Sequence, residues 1–301
     1  MRILVTDGMD KTAMAQLREM GHEVVEQFYE PDQLGAALKD FDAVVVRSKT
    51  KVRANHIDEA KTGKLKLIIR GGVGVDNIDV KYAESCGITV KNTPRASSQS
   101  VAELAMGHMF SCARYLSIAG HTMREDKWEK KAYGKGIELQ GKTLGIVGFG
   151  RIGQHLGVMA KAIGMKVVAF DIFHIPGIEE QLGIPYVEMD DLLAQSDFVS
   201  VHAPAVDGGA LISAENIAKM KDGVVIINTS RGTNVDEAAL LAALESGKVR
   251  AAGLDVYADE PATNKALYSH PMVSCTPHIG AATVEAQKRI GSEIVDIIKN
   301  F

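Results

Sequence analysis

The stretch from Gly141 to Asp171, GKTLGIVGFGRIGQHLGVMAKAIGMKVVAFD, decides the fold of this chain. It begins with a short apolar run around Leu144, which is typical of a buried strand in a parallel sheet. Glycines follow at once with the spacing GxGxxG, then a helical pattern from Gln154 to Ile163, then a second apolar run that ends on Asp171. This order of strand, turn, helix and strand predicts one βαβ unit of a doubly wound parallel sheet.

Each glycine of that turn has a predicted task in dinucleotide binding. Gly148 permits a tight turn, Gly150 lets the backbone approach a pyrophosphate, and Gly153 allows the helix to pack closely on the strand. The free N–H groups where the helix starts, at Arg151 and Ile152, favour the negative charge of phosphates. Glycines also mark ordinary turns, but the strands and the helix in the right order favour a dinucleotide site.

Asp171 indicates which dinucleotide binds. At the end of the second strand, its carboxylate is placed to accept hydrogen bonds from a ribose diol. The next residues, Ile172, Phe173 and His174, include no arginine that could receive a 2′-phosphate. We therefore predict NAD rather than NADP as the cofactor.

Length and composition exclude several classes of protein. The 301 residues exceed the usual size of one domain, so we expect two. An apolar content of 46% and a net charge of −4 are typical of a globular protein without general attraction to nucleic acid or anionic membranes. No apolar segment approaches the length of a membrane span, and we expect no signal peptide. Cys86, Cys112 and Cys275 match no zinc spacing, so we predict reduced thiols, no metal site and a cytoplasmic protein.

Short apolar runs alternate with helical patterns along most of the chain, which predicts two α/β units. In the first unit, the predicted strands lie near residues 2–7, 22–28, 43–47, 65–70 and 88–92. In the second unit, they lie near residues 144–148, 166–170, 198–202, 224–229, 251–255 and 273–275. Strands in this number and order predict doubly wound parallel sheets, with ligands bound at the strand ends.

Three segments outside the strands define the domains. One long helical run is predicted from Ser98 to Arg124, after Pro94, which disfavours helix at the residue before it. The polar segment 125–140 that follows is a loop or an arm onto another subunit. The amphipathic pattern from Thr283 to Ile298 predicts a helix that returns to the first domain. We therefore predict two domains, made of residues 1–96 with 281–301 and of residues 97–280.

Three polar stretches follow late strands, where doubly wound sheets bind their ligands. Arg231 follows VVIINTS, Glu260 lies shortly after AAGLD, and His278 follows MVSCTP. Taken singly, Arg231 and Glu260 could be surface charges, and His278 could be a satisfied histidine in a turn. Their spacing alone leaves both interpretations open.

Several motifs together resemble the D-isomer-specific 2-hydroxyacid dehydrogenases. The stretches VRSKTKV, GVGVDNID, SVAELAMG, GKTLGIVGFGRIG and PHIGAAT support the resemblance, which spans essentially the whole chain. Within the family, they look most like the D-3-phosphoglycerate dehydrogenases, in a short form without the C-terminal regulatory domain. The resemblance implies a Rossmann-type NAD-binding domain inserted in a flavodoxin-like substrate domain that acts as a lid.

The resemblance also implies three catalytic roles. His278 is the general base that takes the hydroxyl proton as hydride leaves C2, and the acid in the reverse direction. Glu260 holds the imidazole and favours its charged form. Arg231 binds the substrate carboxylate and polarises the C2 oxygen with its planar fork of donors.

Further positions come from the resemblance. Asp255 matches the residue that orients the nicotinamide carboxamide, and the N–H groups of Val73 and Gly74 match a cradle for the substrate carboxylate. The alternative for that cradle is a plain glycine-rich turn. The other positions expected at the NAD site are Gly148, Gly150, Arg151, Ile152, Gly153, Asp171, His202, Ala203, Pro204, Thr229, Ser230 and Gly280.

A phosphorylated substrate needs cations. The resemblance favours Arg47 and Arg70 as phosphate contacts, although a run of charges such as residues 47–53 is often only a solvated face. Lys130 and Lys131 match a segment that reaches the neighbouring subunit's site, which implies a homodimer.

The leading hypothesis is NAD-dependent oxidation of D-3-phosphoglycerate to 3-phosphohydroxypyruvate, the first step of serine biosynthesis. One alternative is a reductase of glyoxylate, hydroxypyruvate or another D-2-hydroxyacid. A different class on this fold is an NAD(H)-sensing corepressor that binds partner peptides. The segments Arg95–Ser98 and Asp207–Ala210 depart from the usual family pattern beside the substrate and the cofactor.

Overall fold

The computed structural model describes all 301 residues, which form two compact units. One unit comprises Met1–Ser97 with Ala281–Phe301, and the other comprises Ser98–Gly280. Both contain a single parallel sheet with helices, so the fold class predicted from the sequence is confirmed. None of the helices combines the length and the apolar character needed to cross a bilayer.

The first unit contains a five-stranded sheet in the order β2-β1-β3-β4-β5, the flavodoxin-like order. Its strands are β1 (Arg2–Val5), β2 (Glu23–Glu26), β3 (Ala43–Val46), β4 (Leu67–Arg70) and β5 (Thr89–Asn92). Its helices are α1 (Lys11–Glu19), α2 (Pro31–Leu38), α3 (Ala54–Ala60), α4 (Val80–Ser85) and α13 (Val284–Lys299).

The core of this unit lies on both faces of the sheet. On β3, Val44 and Val46 pack into one apolar cluster and Val45 into the other, as the two-residue repeat of a strand requires. Helix α13 covers the second face with Ile290 and Ile294, both buried. Burial of each such side chain stabilises the fold by about 2 kcal/mol.

The second unit contains a six-stranded parallel sheet in the order β7-β6-β8-β9-β10-β11. Its strands are β6 (Thr143–Val147), β7 (Lys166–Phe170), β8 (Phe198–Val201), β9 (Val224–Asn228), β10 (Val249–Leu254) and β11 (Val273–Cys275). Beyond β7, a single bridge from Ala169 to Tyr186 stands where a Rossmann sheet has another strand. The strand order reverses between β6 and β8, which places a ligand crevice at the carboxyl end of β6.

The helices of this unit include one departure from the sequence prediction. They are α5 (Ser98–Arg114), α6 (Leu116–Arg124), α7 (Arg151–Ala162), α8 (Ile178–Leu182), α9 (Met189–Gln195), α10 (Ala214–Lys219), α11 (Glu237–Ser246) and α12 (Lys265–Tyr268). The single helix expected over Ser98–Arg124 was wrong, because Tyr115 adopts a left-handed conformation with φ 59° and divides the run. The Tyr115 hydroxyl accepts a hydrogen bond from Arg250 at 2.7 Å, a tertiary contact that the helical pattern does not reveal.

Candidate active site

The glycine-rich turn lies between β6 and α7, as predicted. Gly148 has φ 93°, and a Cβ there would approach the backbone nitrogen of Ala203 to 2.5 Å. At Gly150, by contrast, a Cβ would meet nothing within 4 Å. Open space therefore lies beside the first N–H groups of α7, where Arg151 and Ile152 begin the helix. A pyrophosphate fits this combination of free N–H groups and space.

Asp171 is bound to the same turn. Its Oδ2 accepts the N–H of Phe149 at 2.7 Å, and its Oδ1 accepts the N–H of Phe173 at 3.0 Å. Each carboxylate oxygen has a second lone pair, so both can still accept from a ribose diol. These contacts hold the acid in place next to the phosphate-binding turn.

A buried polar cluster follows β8 and β9. His202 shares a hydrogen bond of 2.8 Å with Ser200 through Nε2, while its Nδ1 has no partner. Burial lowers the pKa of His202 to about 3, so this imidazole is neutral. The hydroxyl of Thr229 is likewise buried without a partner. Buried polar atoms of this kind are normally satisfied, so these orphans fit a polar ligand such as NAD.

Asn234 is a residue of this cluster that the sequence analysis missed. Its amide donates to the carbonyls of Ala203 and Pro204 at 2.9 and 3.2 Å and to the hydroxyl of Ser230 at 3.1 Å. It therefore fixes the loop after β8 relative to the loop after β9. The only signal in the sequence was its place three residues after Arg231.

Asp255 follows β10 and is 1% exposed. Its carboxylate accepts the N–H groups of Ile279 and Gly280, both at 2.8 Å, and the hydroxyl of Thr276 at 2.7 Å. Its own carbonyl accepts the N–H of His278 at 2.9 Å. Asp255 thus determines the path of residues 276–280, which we call the His278 turn.

His278 and Glu260 form a direct pair. The imidazole Nδ1 lies 2.7 Å from Glu260 Oε2, and Nε2 has no hydrogen bond to the protein. Burial alone would raise the pKa of Glu260, but the hydrogen bond and charge of His278 and the charge of Arg231 outweigh it, so this pKa lies below the usual value. With Nδ1–H donated to the carboxylate, Nε2 is the nitrogen that can exchange a proton with a ligand.

Arg231 lies near this pair, at the loop after β9. Its carbonyl accepts from the amide of Asn228 at 2.8 Å, and its guanidinium donates to the carbonyl of Ser230 at 2.7 Å. Its charge helps to lower the pKa of Glu260. A Cβ at the next residue, Gly232, would overlap the backbone of Tyr257, so the loop after β9 packs directly on the loop after β10 that contains Glu260. The structure therefore brings together the three residues predicted to be catalytic.

A cavity of about 430 Å³ adjoins the pair. His278 and Glu260 contribute its polar wall, and Tyr257, Pro261 and Tyr268 contribute most of the rest. An imidazole with a free nitrogen thus faces a space large enough for a small molecule.

Arg47 follows β3 in the first unit and is held from three directions. Its N–H donates to Asp7 at 2.7 Å, its carbonyl accepts from Asn77 at 2.7 Å, and its guanidinium donates to Gln287 at 2.5 Å. Burial lowers the pKa of Arg47, and the charge of Asp7 opposes this. None of these three supporting residues was predicted to belong to the site: Asn77 lies in the stretch GVGVDNID, and Asp7 and Gln287 lie outside the stretches that support the resemblance.

Arg70 ends the adjacent strand, β4, and pairs in register with Val46, so it lies at the same sheet edge as Arg47. Its guanidinium covers Gly72, where any Cβ would overlap it. The predicted carboxylate cradle follows directly, and Asn92 donates to the carbonyl of Val73 at 2.6 Å. Two arginines and a glycine-rich turn therefore share one edge of this sheet.

Two other cations of the run 47–53 and the two predicted lysines of segment 125–140 have different surroundings. Lys49 lies 3.7 Å from the ring centre of Phe28, and Arg53 pairs with Asp79 at 3.0 Å. Lys130 and Lys131 are exposed on the turns of segment 125–140 and form no hydrogen bond with the other predicted site residues. Their predicted role is at the site of a neighbouring subunit.

The comparisons with known proteins agree with this geometry. A model of the D-isomer specific 2-hydroxyacid dehydrogenase family, NAD binding domain, matches residues 106–280. The chain is 49% identical to a hydroxypyruvate reductase of Thermotoga maritima, over 99% of this chain and 97% of that protein. It is 43% identical to a D-3-phosphoglycerate dehydrogenase of Methanocaldococcus jannaschii, over 99% of this chain but only 57% of that relative's length.

A solved structure is similar over nearly the full length. The D-lactate dehydrogenase of Aquifex aeolicus, complexed with NAD and lactic acid, superposes with a TM-score of 0.86 at 30% identity. The match covers 99% of this chain and 94% of that one.

Proposed function

The chain belongs to the D-isomer-specific 2-hydroxyacid dehydrogenases and is an NAD-dependent enzyme, and we propose that it oxidises D-3-phosphoglycerate to 3-phosphohydroxypyruvate. The observation that supports this substrate is the pair of guanidinium groups, Arg47 and Arg70, at one edge of the first sheet. An unphosphorylated hydroxy acid has one anionic group, for which Arg231 suffices. Two further arginines fit a second anionic group, the phosphate.

The proposed chemistry begins with His278. Nε2 of its imidazole takes the proton of the substrate hydroxyl, and in the reverse direction it returns the proton to the carbonyl oxygen. Glu260, hydrogen-bonded to Nδ1, keeps Nε2 available and stabilises the imidazolium that forms. NAD, held by the glycine-rich turn and Asp171, would supply the acceptor for the hydride that leaves C2.

Other residues bind and orient the reactants. Arg231 donates to the carboxylate and to the C2 oxygen, together with the N–H groups of Val73 and Gly74. Asp255 orients the nicotinamide carboxamide. In this proposal the first unit is the substrate domain and the second the NAD-binding domain, and the product enters serine biosynthesis.

We also propose a homodimer. Helix α6 contains no buried residue, although Leu116 and Met123 are apolar and 57% and 53% exposed. Trp128, in the neighbouring segment, is 78% exposed. A second copy of the chain that covered these side chains would remove them from water and bring Lys130 and Lys131 to its partner.

A reductase of hydroxypyruvate is the second candidate. It is favoured by the relative of that name, which is 49% identical and which this chain covers almost completely. The corepressor alternative has no comparable support, because a sensor needs neither the His278–Glu260 pair nor Arg231.

The substrate proposal is tested by replacing Arg47. In Arg47→Gln we expect the KM for D-3-phosphoglycerate to rise by roughly 10- to 100-fold, the worth of a hydrogen bond between charged groups, while the KM for D-glycerate changes little. Lys51→Gln, which removes an exposed cation of the same sequence run, is the matched control and leaves both values unchanged. Equal effects of Arg47→Gln on the two substrates would contradict the phosphate role and favour the reductase.

A further inference from the structure

A chain of hydrogen bonds runs from helix α5 to Asp255. His108 on α5 lies between two hydroxyls of the β11 region: its Nδ1 is 3.0 Å from Ser274 Oγ, and its Nε2 is 3.0 Å from Thr276 Oγ1. Thr276 in turn donates to Asp255 Oδ1 at 2.7 Å. The imidazole is only 3% exposed, so it cannot exchange these partners for water.

The protons of this chain have one consistent arrangement. A carboxylate only accepts, so the single hydroxyl proton of Thr276 is donated to Asp255 and its oxygen must accept from His108 Nε2–H. A neutral imidazole then has a lone pair on Nδ1, which accepts the hydroxyl proton of Ser274. Burial lowers the pKa of His108, against the charge of Asp255, and so favours the neutral imidazole.

Strand β10 is shaped to admit this imidazole. A Cβ at Gly253 would lie 2.5 Å from the Cβ of His108 and 3.0 Å from its Cγ. No larger residue fits at 253 while His108 stays in place. A polar side chain in a packed apolar region is costly unless its polar atoms are hydrogen-bonded. Here the fold provides both the space for the imidazole and a partner for each nitrogen, so the position is specific for histidine.

Asp255 connects this chain to the reacting histidine. Its Oδ1 accepts from both Thr276 and the N–H of Ile279, and its backbone carbonyl accepts the N–H of His278. His278 has φ 53°, a left-handed conformation that costs a non-glycine residue free energy and persists only where its surroundings impose it. Whatever fixes the Asp255 carboxylate therefore helps to impose the conformation of the His278 turn.

We propose that His108 is a positioning residue of the dehydrogenase, which orients the His278 turn by fixing Asp255 through Thr276. It contacts neither substrate nor cofactor and acts only through the hydroxyl of Thr276. This proposal rests on the roles proposed above for Asp255 and His278.

A double-mutant cycle tests it. His108→Phe fills the space but makes no hydrogen bond, and Thr276→Val removes the connecting hydroxyl. We expect each to lower kcat by about tenfold, the worth of one ordinary hydrogen bond, and the double variant to be no worse than Thr276→Val alone. His108→Gln, whose amide can still donate to Thr276, should recover most of kcat.

Two further variants separate positioning from a loss of stability. Cys112 lies one turn farther along α5 than His108 and is also buried. We expect Cys112→Ala to lower the melting temperature without lowering kcat. His108→Leu, which also makes no hydrogen bond to Thr276, replaces His108→Phe in the cycle if that variant does not fold.

The proposal is overturned if the losses of the two single variants multiply in the double variant, or if His108→Phe keeps kcat within twofold of the parent. The cycle is measured with whichever 2-hydroxy acid the parent enzyme oxidises fastest, so an error in the proposed substrate leaves its outcome intact. An error in the proposed catalytic role appears instead as undiminished activity of His278→Gln.

Discussion

His278 and His108 both depend on the loops that follow β10 and β11, yet their surroundings suit opposite tasks. The His278 side chain is 37% exposed, pairs with the carboxylate of Glu260 and lines a cavity, and its Nε2 has no hydrogen bond to the protein. His108 is buried between two hydroxyls, which offer no charge to stabilise an imidazolium. The comparison teaches that a charged partner and an accessible nitrogen suit His278 to transfer protons, whereas burial between two neutral hydroxyls suits His108 to orient its neighbours.

The largest expected effect is at His278. In His278→Gln we expect kcat to fall by about 1,000-fold, within the range that a general base contributes, because no other group near the cavity replaces Nε2. NADH binding, followed by the fluorescence of the bound nicotinamide, should change by less than threefold. A variant that kept a tenth of the parent's kcat would show that His278 is not the base.

The next largest effect is expected at Glu260, the partner of His278. Glu260→Gln keeps a hydrogen-bond acceptor for Nδ1 but removes the charge that stabilises the imidazolium, so we expect kcat to fall by roughly 10- to 100-fold. Ser274→Ala, which removes a neutral partner of His108 instead, should cost much less. Equal losses in the two variants would remove the distinction between the two histidines.

The smallest expected effect is on the free energy of unfolding. Its pH dependence distinguishes the surroundings of His108 from the His278–Glu260 pair. The pKa of His108 and that of Glu260 are both lowered in the folded protein, from 6.5 and 4.5 respectively. Each group therefore contributes stability that is present above its unfolded pKa and is lost as pH falls through its folded pKa. The free energy of unfolding of His108→Phe should therefore approach that of the parent as the pH falls below about 6.5. That of Glu260→Gln should approach the parent's value only below about 4.5.

Urea unfolding of the parent and both variants at several pH values between 8 and 3.5 gives these differences. If both differences disappeared in the same pH range, the assignment of the two environments would be wrong.

Much of the fold followed from local patterns in the sequence. The strands near residues 144–148 and 166–170 are found at Thr143–Val147 and Lys166–Phe170, because apolar runs between turns determine strands locally. The left-handed conformation of Tyr115 was not predictable, because the helical pattern contains no sign of it or of the contact between this side chain and Arg250 on a distant strand. Strand periodicity also does not reveal that the bridge at Tyr186 replaces a full strand.

The candidate site was predictable to the extent that its residues lie in motifs. The GxGxxG turn, Asp171 and the PHIG stretch have recognisable spacing, so their positions could be named from the sequence. Asn234 and His108 could not, because an isolated asparagine or histidine has no spacing, and its partners are brought to it only by the folded chain. The contacts that orient a site are therefore harder to predict than the groups that react in it.

The most direct test of the proposed function is the initial rate of NADH formation by the parent enzyme with D-3-phosphoglycerate, D-glycerate and D-lactate, with NAD or NADP. We predict the highest kcat/KM for D-3-phosphoglycerate with NAD. A higher kcat/KM for D-glycerate would contradict the phosphate role of Arg47 and Arg70 and would favour the hydroxypyruvate reductase.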